Sequence, residues 1–219
     1  MSELVIFGNK ELAEVAHFYF SRDTERKVRA FTVDDEYADQ DSFLGLPVIP
    51  FSELTRHYPP EQFDLFVAVG YTKINQVRKD KYLQCKTLGY KLPTYISSRA
   101  IWWTDNIPGD NCFILESVVV QPFVRIGNNV TIWSASHVGH HALIKDHTFV
   151  TSHVVIGGGA VIGEQSFIGI NATVRDHISL GDRCIVGAGA SVMENAAEDA
   201  LYIEHATKCA TRSSTAVRL

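Results

Sequence analysis

The chain has 219 residues, 46% of them apolar, and a formal net charge of −5, enough apolar material for one or two packed domains. An acidic balance with no basic block to neutralise phosphates argues against a nucleic-acid partner. No apolar run is long enough to span a bilayer, the N-terminus lacks the form of a signal peptide, and Cys85, Cys112, Cys184 and Cys209 show no C-x-x-C spacing, so a cytoplasmic protein with reduced thiols is expected.

The first 92 residues alternate short apolar runs with helical patterns. Leu4-Val5-Ile6-Phe7-Gly8 reads as a strand ending in glycine, and Leu12, Val15, Ala16 and Tyr19 fall at helical spacing between Glu11 and Phe20. A strand from Val28 to Val33 closes on Asp34-Asp35. Beyond it lie a Pro-flanked strand at Leu46–Pro50, a short helix near Ser52–His57, a strand at Asp64–Val69 and a helix from about Thr72 to Leu88. This alternation predicts a small parallel α/β sheet, in which ligands sit beyond the carboxyl ends of the strands. Gly8 and Gly70 lie there. Gly8-Asn9-Lys10 lacks the full G-x-G-x-x-G fingerprint, so two readings stand for Gly8: a tight strand-to-helix turn alone, or the edge of a nucleotide site.

Residues 93–113, with two prolines and the Trp102-Trp103 pair, show no period and read as a linker that caps the first coil of a repeat. In that repeat, from Ile114 to Val192, an aliphatic residue recurs at every sixth position, among them Ile126, Ile132, Val138, Ile144, Val150, Ile156, Ile162 and Ile168. Mostly small residues stand two positions earlier, and glycine often comes directly after. A period of six suits short β segments joined by tight corners, three to a triangular coil of about eighteen residues, so 114–195 is expected to be a β-solenoid. The tail 196–219 leaves the grid.

Five of the nine histidines cluster inside the repeat at positions 137, 140, 141, 147 and 153, with His177 further along it. His140 and His141 occupy corner positions that point outward, where a neutral imidazole can act as a general base. His147, His153 and His177 read as solvated corner residues.

The repeat, together with Val138-Gly139-His140-His141, the acidic pair Asp34-Asp35 and the run Val69-Gly70-Tyr71-Thr72-Lys73, resembles the hexapeptide-repeat sugar acyltransferases of the sialic acid and bacillosamine type over nearly the whole chain. The resemblance implies a Rossmann-like N-terminal domain, a left-handed parallel β-helix and a homotrimer. It further implies that acetyl-CoA is the acyl donor and that the acceptor is the amine of a nucleotide-linked amino sugar made for surface polysaccharide. By the same resemblance His140 is catalytic, with His141 where relatives carry Glu or Asp. Gly157, Gly158, Phe149 and Lys208 would meet the cofactor, and Gly8, Asn9, Asp34, Asp35, Gly70 and Lys73 the acceptor. His141 brings no fixed negative charge, so either a separate carboxylate such as Asp146 or a less polarised base is expected. An O-acetyltransferase of the sialic acid type would use the same base, whereas a non-catalytic nucleotide-sugar binder would have no groove at His140. The γ-type carbonic anhydrases share the solenoid and bind zinc through three histidines. Here His141 and His177 supply two and Asp182 stands at the third position, so no metal is expected.

Overall fold

The computed structural model describes residues 3–205. Lys208 and Cys209 lie outside the described residues. The N-terminal sheet runs in the order β3 (Ser42–Phe43), β4 (Leu46–Pro50), β2 (Lys27–Val33), β1 (Glu3–Phe7), β5 (Phe63–Val67), all parallel except the β3–β4 edge hairpin. Helices α1 (Glu11–Asp23), α2 (Leu54–His57) and α3 (Gln76–Thr87) connect and cover it. Helix α1 follows β1 and leads to β2 on one side of it, while β5 pairs on the other side. The crevice at the carboxyl ends of β1 and β5 is therefore the switch point at which open α/β sheets receive ligands.

The third helix begins later than its pattern suggests. Lys73, Ile74 and Asn75 have left-handed φ values of 53°, 52° and 62°, and Asn75 spends its amide on the second domain, donating from Nδ2 to the carbonyls of Gln165 (3.1 Å) and Ser166 (3.0 Å).

The second domain is a parallel β-helix with an 18-residue coil. Its first face stacks seven strands from Tyr95–Ile96 to Leu201–Tyr202, its second six from Ile101–Trp102 to Ser191–Val192, and its third Arg125–Ile126, Leu143–Ile144 and Val161–Ile162. The sixth-position aliphatics fill the interior: Val120, Ile132, Val138, Ile144, Val150, Ile156, Ile162 and Ile168 are all 0% exposed. Both ends of the solenoid reach further than the repeat alone suggests. Tyr95–Ile96 and Ile101–Trp102, within the expected linker, pair with Phe113–Ile114 and Val119–Val120 as a first coil. Leu201–Tyr202 extends the first face beyond residue 195. Backbone hydrogen bonding to a stacked coil does not need the hexad side chains, so strands persist where the sequence period fades.

The corners hold left-handed residues, including Asn129 (φ 53°), His141 (62°), His147 (62°) and Gln165 (62°). The N-terminal domain packs on the first face and its two bordering corners. Arg78 of α3, 1% exposed, donates to the carbonyls of Asn129 and of His147 (2.7 Å) and to Asn75 Oδ1 (3.1 Å), and Lys79 pairs with Glu164 at 2.5 Å. On the other border Tyr19 of α1 donates to Glu116 at 2.5 Å. His147 is accordingly no solvated residue: it is buried beneath α3, 5% exposed, with its Nδ1 2.9 Å from Asn129 Nδ2. A corner position points outward, but here the space outside it is filled by the other domain. Among the described residues no helix is long and apolar enough to cross a membrane.

Candidate active site

His140 and His141 sit on the remaining corner, between the second and third faces, and both are exposed. The His140 amide donates to Gln121 Oε1 (2.8 Å), and its carbonyl accepts from the Gly159 N–H one coil further on (2.7 Å). The Cε1–Nε2 edge of the imidazole lies against Gly158. A Cβ placed on that glycine would stand 2.8 Å from His140 Cε1 and Nε2, so only glycine lets the ring sit this close to the backbone. Among the described residues the Gly158 N–H donates to no acceptor, while its carbonyl accepts from His177 N at 2.9 Å. Gly157 is packed against the backbone of Asp176, where a Cβ would lie 2.4 Å from the amide nitrogen; its smallness serves coil stacking.

The two imidazoles are coupled. His140 Nδ1 lies 3.1 Å from His141 Nδ1 with the rings edge to face, and His141 rests against Phe123, ring centroids 4.7 Å apart. The tautomer pair that leaves His140 Nε2 unprotonated above Gly158 is the one in which His140 Nδ1–H donates to His141 Nδ1. The group beside His140 Nδ1 is thus the His141 imidazole and not a carboxylate. Asp146 does not serve: it stands at a different corner, accepting from Asn128 N (2.8 Å) and Asn128 Nδ2 (3.0 Å).

The predicted acceptor residues converge in part. A cavity of about 320 Å³ at the carboxyl ends of β1 and β5 is lined by Gly8, Asn9, Lys10, Asp34, Tyr37 and Gly70, among others. Gly8 has φ 125°, and a Cβ there would meet the Ala68 carbonyl at 2.8 Å, so the turn itself requires glycine. Asn9 is 5% exposed and its Nδ2 has no partner, a buried donor of the kind that a bound ligand satisfies. Asp34 pairs with Lys81, which is 7% exposed and lies over the Phe7 and Phe51 rings. Sequence reasoning missed Lys81, whose signal was only a lysine on the buried side of α3. Asp35 and Lys73 do not line the cavity. The Asp35 carboxylate accepts from Ser52 N (3.1 Å), and that hydrogen bonding lowers its pKa; Lys73 is an exposed turn residue.

Phe149 is also apart from Gly158. It is 2% exposed on the first face, where its ring centroid lies 5.2 Å from that of Tyr71. His140 therefore stands on the corner opposite the first face, which is the face that the N-terminal domain and its cavity adjoin.

Residues 159–193 match the family model described as bacterial transferase hexapeptide (six repeats). No curated protein matches the chain. Among solved structures it is similar to the acetyltransferase domain of PglB from Neisseria gonorrhoeae, at 26% identity over 92% of this chain and 96% of that one, TM-score 0.79. The same domain in complex with acetyl coenzyme A matches at 26% identity, over 91% and 94%, with TM-score 0.79. PerB from Caulobacter crescentus, in complex with CoA and GDP-perosamine, shares the fold at 23% identity over 92% and 93%, TM-score 0.81. The repeat and the stacked parallel strands fit a left-handed β-helix acyltransferase. Residues 159–193 thus carry the hexapeptide repeat of bacterial transferases, and the chain as a whole shares its fold with acetyltransferase domains.

Proposed function

We propose that the protein transfers the acetyl group of acetyl-CoA to the amine of a nucleotide-linked amino sugar destined for surface polysaccharide, with His140 as general base. The observation that carries this reading is the packing of the His140 ring edge, with Nε2, directly against the side-chain-free backbone of Gly158. A thioester carbonyl approaching the backbone of Gly158 beside that ring would find the unpaired Gly158 N–H as a donor for the oxygen on which negative charge develops. Acetyl-CoA supplies the activated acyl group. His140 Nε2 takes a proton from the attacking amine as the N–C bond forms, His141 Nδ1 holds the Nδ1–H of the resulting imidazolium, and the proton passes to the sulfur of coenzyme A as the thioester C–S bond breaks and the free thiol leaves.

The N-terminal domain is read as a Rossmann-like holder of the nucleotide. Asp34 and Tyr37 would face the nucleoside. The Gly8-Asn9-Lys10 turn at the start of α1 would face the phosphates, with the unpaired Asn9 amide, Lys10 and the first-turn N–H groups as donors. Gly70 closes the opposite wall.

Because His140 lies across the prism from that cavity, the acceptor held by one subunit is brought to a base on another. A homotrimer with its threefold axis parallel to the solenoid supports this arrangement, since rotation preserves height along the axis and flat prism faces pack symmetrically.

The test is acetylation by acetyl-CoA of UDP-, GDP- and dTDP-linked 4-amino sugars, with the free amino sugars and the matching 4-hydroxy conjugates alongside, and light scattering for the assembly. Transfer to a nucleotide-linked amine at a kcat/KM far above that of the free sugar is expected, because remote binding energy positions the reacting group. Equal kcat/KM for both, or a monomer at micromolar concentration, would refute the arrangement.

A further inference from the structure

The corner that carries His140 holds another imidazole one coil beyond Gly159. The Gly159 N–H donates to the His140 carbonyl (2.7 Å) and the His177 N–H to the Gly158 carbonyl (2.9 Å), so His140, Gly158-Gly159 and His177 are successive rungs of one ladder. Each ring leans on one glycine of the middle rung. A Cβ on Gly159 would stand 2.6 Å from His177 Nδ1 and 2.9 Å from its Cε1, as one on Gly158 would meet the Cε1–Nε2 edge of His140. The two side-chain-free residues are thus bracketed, by His140 on the N-terminal side and by His177 on the C-terminal side. The His177 side chain is 73% exposed and its Nε2 lies 4.0 Å from Asp176 Oδ2. Among the described residues its ring makes no hydrogen bond.

Resting on the function proposed above, we infer that His177 serves the leaving group: its Nδ1–H donates a hydrogen bond to the sulfur of coenzyme A as the thioester opens. Attack of the amine makes the acyl carbon tetrahedral, with oxygen, nitrogen, sulfur and a methyl group around it. The Gly158 N–H takes the oxygen and His140 Nε2 faces the nitrogen. The long arm of the donor must leave on the side that the acceptor does not occupy, so the sulfur points toward the C-terminal coils. The group bordering that side is His177 Nδ1, against Gly159. When the C–S bond breaks, its electron pair goes to sulfur, which shares a carbon with the nitrogen and so lies within reach of the proton carried by His140. His177 shares its own hydrogen and keeps it. A thioester sulfur is a weak acceptor and a sulfur gaining negative charge is a strong one, so the contact is worth more in the transition state than in the bound donor. Loss of His177 therefore acts on kcat and leaves coenzyme A affinity in place.

The experiment measures single-turnover acetylation of a UDP-, GDP- or dTDP-linked 4-amino-4-deoxyhexose, whichever the parent acetylates fastest, by acetyl-CoA and by its selenoester analogue. The full-length parent is compared with His177→Gly, His177→Asn and His140→Ala, with isothermal titration of CoA alongside. Glycine is chosen because residue 177 has φ 55°, which alanine would strain. With acetyl-CoA, His177→Gly should lose about ten- to a hundredfold in rate, the worth of a hydrogen bond to a charged group, and bind CoA as the parent does. His177→Asn, whose amide can donate, should recover part of the loss. A selenolate leaves without such help, so the His177→Gly defect should largely vanish with the selenoester, whereas that of His140→Ala should persist. A His177→Gly rate within twofold of the parent, an equal defect with both donors, or weaker CoA binding as the sole change would each overturn the role of His177 while the acetyltransferase reading stands. A parent that binds CoA but acetylates none of the conjugates overturns both.

Discussion

Replacing Gly158 with alanine tests the base and its seat on the backbone with one methyl group. The added Cβ would stand 2.8 Å from His140 Cε1 and Nε2 and 3.2 Å from Cδ2, against ordinary contact distances of about 3.5–4.0 Å. The ring must retreat by roughly 0.7–1 Å. It can do so, because His140 is exposed and Gly158 does not have a positive φ, so stability should change by less than about 1 kcal/mol, with part of any cost offset by the stiffer unfolded chain. The retreat displaces Nε2 from the reacting amine, and a misplacement of about 1 Å lowers the chemical rate by about a hundredfold. Single-turnover acetylation with saturating acetyl-CoA and acceptor, beside a thermal melt, separates the two effects. Gly139→Ala is the contrast: its Cβ would meet backbone, 2.5 Å from Gly158 N and 2.8 Å from Gly157 C, which cannot yield, so that variant should lose stability first. A Gly158→Ala enzyme within twofold of the parent rate would show that His140 Nε2 is not the base, or that its position does not matter.

Removing the imidazole in His140→Ala should cost about two to four orders of magnitude in kcat while CoA still stabilises the protein in a melt; an unchanged kcat would remove His140 from the chemistry. If His141 orients the base by accepting from His140 Nδ1, then His141→Asn, whose amide oxygen can also accept, should retain more activity than His141→Ala. Equal kcat for the two variants would argue against the coupling. In the acceptor site Asp34→Asn should weaken conjugate binding about tenfold, whereas Asp35→Ala, outside the cavity with its carboxylate on Ser52, should not; titration showing the reverse would move the nucleoside. Burial, followed by the nearby Arg78 charge, lowers the pKa of His147 to about 4 from 6.5. Its neutral form therefore belongs to the folded state, and the stability it contributes is full above about pH 6.5 and is lost as pH falls toward 4. Denaturant titrations at pH 7 and pH 5 should show a loss that His147→Gln reduces, and identical pH dependence in both proteins would contradict the burial.

The solenoid was legible because its cause is local and periodic. An aliphatic residue at each sixth position, from Ile114 to Val192, can be buried only if the chain turns three times per coil, and those side chains fill the interior as the column requires. The alternating N-terminal elements and the glycine turn at Gly8 were legible for the same reason: strand, turn and helix are each written in a few consecutive residues. The outward placement of His140 and the stacking of Gly158 beneath it came from counting eighteen residues around one coil. What the sequence could not show is how the two domains lie against each other. That arrangement depends on contacts 51 to 91 residues apart, such as Arg78 on Asn129 and Asn75 on Ser166, and no short pattern records them. Docking on the first face turned His147 from a solvated corner residue into a buried one, drew Phe149 and Trp133 into a cleft beside Gly70, and left Asp35 outside the cavity that Asp34 lines. The substitution of one imidazole for a carboxylate as the partner of His140 was likewise undecidable in one dimension. Whether two adjacent rings meet nitrogen to nitrogen depends on the left-handed backbone at His141 and on the Phe123 ring one coil away.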